Sequence, residues 1–153
     1  MRLHLKSSLG AAIGVSLVGA LSAWSDLPML IAPLGPTALL LFAQPDSASS
    51  QPVPVFGGYF IAAVLASVAE IGFPGAWWAA SLAVGLVMLA MLLLRVTHPP
   101  AAAVPLVLLS SPIHPPVLFA VMLAACIMLT GVAIAWHRLP PRIRYPRWDG
   151  LDP

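Results

Sequence analysis

Pro28-Met29-Leu30-Ile31-Ala32-Pro33-Leu34-Gly35-Pro36-Thr37-Ala38-Leu39-Leu40-Leu41-Phe42-Ala43 carries no formal charge and three prolines. It is too apolar for a surface loop. It is also too interrupted for a continuous helix, because proline lacks the N–H donor and its ring collides with the preceding turn. Only Thr37–Ala43 reads as helical. A second stretch, from His98 to Ser111, repeats the pattern with Pro99, Pro100 and Pro105, and only Ala101–Leu109 reads as helical. A broken apolar segment is tolerated at membrane depth only where protein or water meets the freed backbone groups.

The rest of the chain supports a membrane setting. Of 153 residues 60% are apolar and 8% are charged, with a mean hydropathy of +0.97. Soluble proteins carry roughly 25% charged residues. This composition excludes a soluble globular domain and a disordered chain. The 7 cations are too few and too scattered to form a phosphate-binding face, which argues against a nucleic-acid partner.

The charges divide the chain into span-sized intervals. Between Lys6 and Asp26, and again between Asp26 and Asp46, lie 19 residues each; Asp46 to Glu70 leaves 23, Glu70 to Arg95 leaves 24, and Arg95 to Arg138 leaves 42. About 20 apolar residues cross the hydrocarbon core as a helix. The expected fold is therefore an all-α integral membrane domain over 1–137, with about six embedded segments at 8–25, 28–43, 55–72, 76–95, 98–111 and 115–137. Four of these read as full spanning helices and two as short, proline-broken segments. Gly and Ala recur at small-residue spacings, as in Gly10-Ala11-Ala12 with Gly14, which favours close helix approach in lipid.

Orientation follows from the cations. Arg2 and Lys6 precede the first span, and Arg138, Arg142, Arg144 and Arg147 follow the last, so both termini are expected in the cytoplasm. Four and six crossings both satisfy this, and a cytoplasmic Arg95 favours six. The start also has the form of a signal peptide, but the equally apolar remainder favours an uncleaved first helix. Residues 138–153 read as a basic cytoplasmic tail, either solvated and mobile or touching anionic headgroups. Trp24, Trp77, Trp78 and Trp136 near span ends read as an aromatic belt. His4, His114 and His137 read as interfacial. Cys126 stands alone, so neither a disulfide nor a cysteine metal site is expected, and no cofactor motif is visible.

A shift of 63 residues places Gly35-Pro36-Thr37-Ala38 on His98-Pro99-Pro100-Ala101, Pro52 on Pro115 and Phe56 on Phe119. An inverted 3+3 repeat accounts for this, and so does chance matching in a low-complexity sequence. In inverted-repeat transporters, half-helices meet around a substrate near the midplane. Gly35-Pro36 and Pro99-Pro100 read as half-helix starts, with Thr97 or His98 as a cap. Exposed N–H groups at two such starts would attract an anion without Lys or Arg. His98 is the one ionisable side chain expected deep in the membrane, where it suits hydrogen bonding to an anion or proton carriage.

Thr97-His98-Pro99-Pro100-Ala101, together with Leu34-Gly35-Pro36-Thr37-Ala38 and the leucine-rich run after it, Pro45-Asp46-Ser47, Gln51-Pro52 and Gly57-Gly58, resembles the HPP family of small integral membrane proteins. The ordered match runs from Pro28 to about Leu109. The family is usually described as having four spans, and its chloroplast and cyanobacterial members are associated with nitrite transport. The chain departs from that pattern at Tyr59, where the family usually has His, at Ala102 and Pro105, and at Val53-Pro54, which replaces a polar pair. These changes remove a proton group and a positive charge.

The expected function is a small membrane transporter or channel for a small inorganic anion. Nitrite is the first candidate on the resemblance, and movement is passive or proton-linked. The expected substrate-binding residues are Gly35, Pro36, Thr37, Tyr59, Thr97, His98, Pro99 and Pro100. Expected partners are the lipid bilayer, the anion and further copies of the chain, in a bacterial inner (plasma) membrane. The alternative is a non-transporting scaffold or accessory subunit, with the broken segments as packing devices. An enzyme is not expected, because no paired carboxylate, metal cluster or nucleophile–base pair is visible.

Overall fold

The computed structural model describes residues 1–147, in which helices joined by turns and loops are present with no strand among the described residues; the side chain of Arg2 is outside the description. The helices are α1 (Arg2–Ser25), α2 (Leu34–Ala43), α3 (Pro52–Gly72), α4 (Trp77–Leu93), α5 (Val104–Leu109) and α6 (Pro115–His137). Short 3-10 turns at Ala48–Ser50 and Pro99–Ala103 precede α3 and α5. Three helices are long and apolar enough to cross a membrane: Leu3–Ser25, Pro52–Gly72 and Pro115–His137. At 17 residues, α4 lies at the short end of the spanning range.

The turn after α1 is built by its own last residues. Asp26 adopts the left-handed conformation with φ 55°, which aspartate tolerates better than most side chains. Ser22 Oγ then donates to Leu27 O and accepts from Met29 N, folding the chain back along α1. Residues 26–33 form this return, and the helical part of the second segment begins at Leu34, three residues before the expected Thr37. Leu30 packs over Gly19, and further along Phe42 packs over Gly10 and Gly14. Both Gly10 and Gly14 stand where a Cβ would press on Phe42, which is why the small-residue spacing in α1 matters.

One end of the bundle gathers the start of α1 and the residues that follow α6. Lys6 Nζ donates to Leu139 O and Pro141 O, and Trp136 Nε1 donates to Lys6 O. The α2–α3 loop reaches the same end, since Tyr145 Oη donates to Ser50 O. The α4–α5 connection lies there as well, with Val96 against Gly57 and His98 against Gly58. The exposed Trp24, Trp77 and Trp78 stand at the opposite ends of α1 and α4.

α3 and α6 form the centre and bury corresponding positions. Val55, Gly58, Tyr59, Ala62, Ala63, Ala66 and Ser67 are buried on α3, and Leu118, Val121, Met122, Ala125, Cys126, Leu129 and Thr130 are buried on α6. Each residue of the second set is 63 positions beyond its counterpart in the first. The broken segments follow suit: Thr37, Ala38, Leu41 and Phe42 are buried in one, and Pro100, Ala101, Val104 and Pro105 in the other. Neighbours correspond too, since α1 packs on α2 and α6 while α4 packs on α5 and α3.

The tail departs from the sequence reading. Residues 138–147 do not lie free: Tyr145 is buried, and Arg147 pairs with Asp46 at 2.6 Å. Burial of the Tyr145 ring, together with the open carbonyl of Ser50, gives this basic segment a place to dock. Burial also pushes the Tyr145 phenol up, so it remains a donor. Trp148 lies outside the described residues.

Candidate functional site

Three elements bring one polar side chain each to a single buried point. Thr37 sits in the first turn of α2, Tyr59 in the second turn of α3, and His98 just ahead of the Pro99–Ala103 turn. Thr37 and His98 have no exposed surface, and Tyr59 is 2% exposed. Thr37 Oγ1 lies 2.6 Å from Tyr59 Oη and 3.0 Å from His98 Nε2. Both hydroxyls also reach Pro33 O, at 3.0 Å from Thr37 and 3.1 Å from Tyr59. His98 Nδ1 lies 2.8 Å from Ser49 O. The Tyr59 and His98 rings pack with centroids 5.2 Å apart.

The acceptors decide where the protons stand. Ser49 O can only accept, so His98 Nδ1 carries hydrogen. In the neutral imidazole Nε2 then accepts from the Thr37 hydroxyl, and Thr37 accepts from Tyr59. In the imidazolium Nε2 donates to Thr37, whose own hydroxyl turns to Pro33 O while Tyr59 Oη still donates to Thr37; Pro33 O then accepts the Thr37 hydroxyl and the Thr37 N–H on its two lone pairs. Either state leaves every side-chain polar atom of the cluster paired. One hydroxyl rotation, at Thr37, therefore suffices to accommodate a proton on His98 without moving a helix.

The remaining expected site residues are distributed differently. Pro100 is buried and Thr97 half-buried, and neither is hydrogen-bonded to the cluster. Gly35, Pro36 and Pro99 are exposed on the outer surface. Gly35 lines a lateral cleft between α1 and α2 with His4, Ser7 and Ser8 rather than facing His98. The helix starts meet through Thr37 and His98, so Gly35-Pro36 and Pro99-Pro100 do not share a polar cavity. The helical phase explains this, since Thr37 points inward and its two predecessors point away.

The expectation of unpaired N–H groups at the helix starts is not met. Leu34 N, Gly35 N and Thr37 N donate to Ile31 O, Ala32 O and Pro33 O. The turn ahead of α2 thus caps it from outside. At the other start Pro99 and Pro100 have no N–H, and Ala101 N donates to His98 O. The side chain of His98 does not cap its own turn; its two nitrogens go to Thr37 and Ser49 instead.

A cavity of about 260 Å³ adjoins the cluster between α3 and α6, lined by Phe56, Tyr59, Phe60, Ala63, Phe119, Ala120, Met122, Leu123 and Cys126. Its wall is apolar apart from Tyr59 and Cys126. The cluster itself is closed. Among the described residues no group of three or more His, Cys, Asp or Glu gathers to hold a metal.

Several residues around the site carry no sequence signal of their own. Pro33 and Ser49 act through backbone carbonyls. His137, read as interfacial, is buried with Nε2 2.8 Å from Leu41 O. Gln51 donates to Pro45 O and Ser47 O and so shapes the loop that carries Ser49; its place in the ordered Gln51-Pro52 motif was the available hint.

Gly58 is the tightest packing constraint on the cluster. A Cβ there would stand 2.8 Å from His98 Cβ, too close without backbone movement. Gly58→Ala is expected to lower stability by about 1–3 kcal/mol, read as a lower melting midpoint in detergent.

No curated protein and no solved structure shows a significant match to the chain. The family model for the HPP transmembrane region matches residues 1–146, and the chain belongs to the HPP family of integral membrane proteins.

Proposed function

We propose that the protein moves a small inorganic anion across the membrane, with nitrite as the first substrate to test, and that the Thr37–Tyr59–His98 cluster is its gate in the closed state. The observation that carries this reading is the cluster itself. Three fully buried polar side chains from three elements join the two broken segments and satisfy one another. A polar group buried in apolar surroundings costs roughly 1–3 kcal/mol when its partner is lost, so such a cluster is an expensive way to pack helices and a suitable way to receive a polar solute. Membership of a family with nitrite-associated members agrees with this reading.

In the open state the same donors turn from one another to the anion: the hydroxyls of Thr37 and Tyr59 and an N–H of His98. Opening breaks three or four hydrogen bonds of about 1 kcal/mol each. A gap of a few kcal/mol leaves roughly 0.1–10% of molecules open, compatible with passive flux. The two satisfied protonation states of His98 allow proton-linked flux as well. The architecture that fits this function is a six-crossing inverted repeat related by the 63-residue shift. Both ends lie in the cytoplasm, with Arg2, Lys6 and the tail arginines on that side. Chain copies associate in a bacterial plasma membrane, because one chain forms a thin bundle.

Uptake of nitrite, nitrate, formate and chloride into proteoliposomes tests the reading. Flux of at least one anion above protein-free vesicles is expected. Folded protein that carries none of the four overturns it. The closed packing favours a second reading, a non-transporting scaffold, which predicts a stoichiometric membrane partner and no flux.

A further inference from the structure

The chain ends, as far as it is described, in an ordered strap. Beyond α6, Ile143 N donates back to His137 O, and Lys6 Nζ fastens Leu139 O and Pro141 O to the start of α1 at 2.7 and 2.6 Å. The strap then crosses the loop of residues 44–51. Tyr145 is 7% exposed, its ring centroid lies 5.3 Å from that of His137, and its hydroxyl donates to Ser50 O at 2.8 Å. Arg147 N donates to Gln51 Oε1 at 2.8 Å, and its guanidinium pairs with Asp46. Through its amide nitrogen the same Gln51 holds Pro45 O and Ser47 O. The carbonyl next to the strap's anchor, Ser49 O, is the acceptor for His98 Nδ1–H. Strap and buried cluster therefore hold adjacent peptide units of one loop.

We infer that residues 138–147 are a latch on the site: docked, the strap pins loop 44–51 and, through Ser49, keeps His98 in the closed cluster; released, it lets the loop lift and His98 lose its Nδ1 acceptor. The regulation of anion passage rests on the proposed function, but the lifting of the loop does not. The Arg147 and Asp46 side chains are 42% and 63% exposed, and pairs of that kind contribute little and weaken in salt. The buried Tyr145 ring, its hydroxyl and the Arg147 N–H carry most of the grip. One docked ring, two hydrogen bonds and a surface ion pair make a latch that opens without unfolding the bundle.

The test uses Ser49→Cys in a Cys126→Ala background as a reporter, in proteoliposomes with a membrane-impermeant maleimide on both sides. The carbonyl of residue 49 does the bonding, so the new thiol leaves that contact in place. Tyr145→Phe combined with Arg147→Pro removes the hydroxyl, the guanidinium and the backbone N–H from a surface strap. Labelling is expected to accelerate about tenfold or more, whereas Arg147→Lys alone, which keeps charge and N–H, is expected to label slowly. In a chain with its native Cys126 and Ser49, the double variant must leave Cys126 unlabelled, which separates release of the strap from loosening of the helices. Equal labelling with the strap intact and weakened overturns the latch, as does labelling of Cys126. Faster labelling at position 49 in a protein that carries no anion supports the latch while removing the transport reading.

Discussion

His98→Ala is expected to cut anion flux tenfold or more and to lower stability by about 3–5 kcal/mol. The imidazole is fully buried and spans from Thr37 Oγ1 to Ser49 O. Removing it leaves Ser49 O short of a donor, at roughly 1–3 kcal/mol, while Thr37 turns to Pro33 O, and it opens a cavity that adds most of the cost. The stability loss alone would not establish a role in transport. His98→Asn separates the two, because an amide can donate to Ser49 O and accept from Thr37 yet cannot take a proton. It is expected to recover most of the melting midpoint while flux loses its pH dependence. Wild-type flux and pH dependence in both variants would remove His98 from the mechanism.

Thr37→Val is expected to have the next largest effect. Its hydroxyl is the one atom that touches Tyr59, His98 and Pro33 O together. Valine nearly preserves the volume, so little cavity forms, but His98 Nε2 loses its neighbour in a site without water access. A loss of about 1–3 kcal/mol is expected from that unpaired nitrogen, with flux down tenfold or more. Thr37→Ser restores the hydroxyl and should restore both. Tyr59→Phe is expected to be milder, because Pro33 O keeps the Thr37 N–H as a partner. A Thr37→Val protein that melts and transports like the parent would show that the three side chains do not act as a unit.

Much of this was legible in the sequence because lipid enforces simple rules. Charge gaps of span length and the clustering of Pro33, Pro36, Pro99 and Pro100 located the helices and the two interruptions. The sixth helix begins and ends where its apolar run does, at Pro115 and His137. Seven buried positions of α3 and α6 correspond under the 63-residue shift, while Pro54, Ala133 and His137 have no buried counterpart. His98 stood out because an ionisable group is rare at depth.

What was not legible depends on helix phase and distant contacts. Composition does not tell which way Gly35 and Pro36 turn. Both point outward, while Thr37, one residue on, faces His98. The carbonyls of Ile31, Ala32 and Pro33 take up the N–H groups that a helix start usually leaves open, and a sequence shows no carbonyl directions. The docking of the tail was not legible for a related reason. Four arginines read as a segment either solvated or touching headgroups, and the contacts that dock residues 138–147, Tyr145 to Ser50 and Arg147 to Gln51, join residues about a hundred positions apart.

Nitrite uptake into proteoliposomes, with the parent chain and His98→Ala prepared side by side and each shown to be folded, bears on the gate without intermediaries. The parent is expected to carry nitrite above empty vesicles and the variant at a tenth of that rate or less. Equal uptake by the two would contradict a gate built on Thr37, Tyr59 and His98.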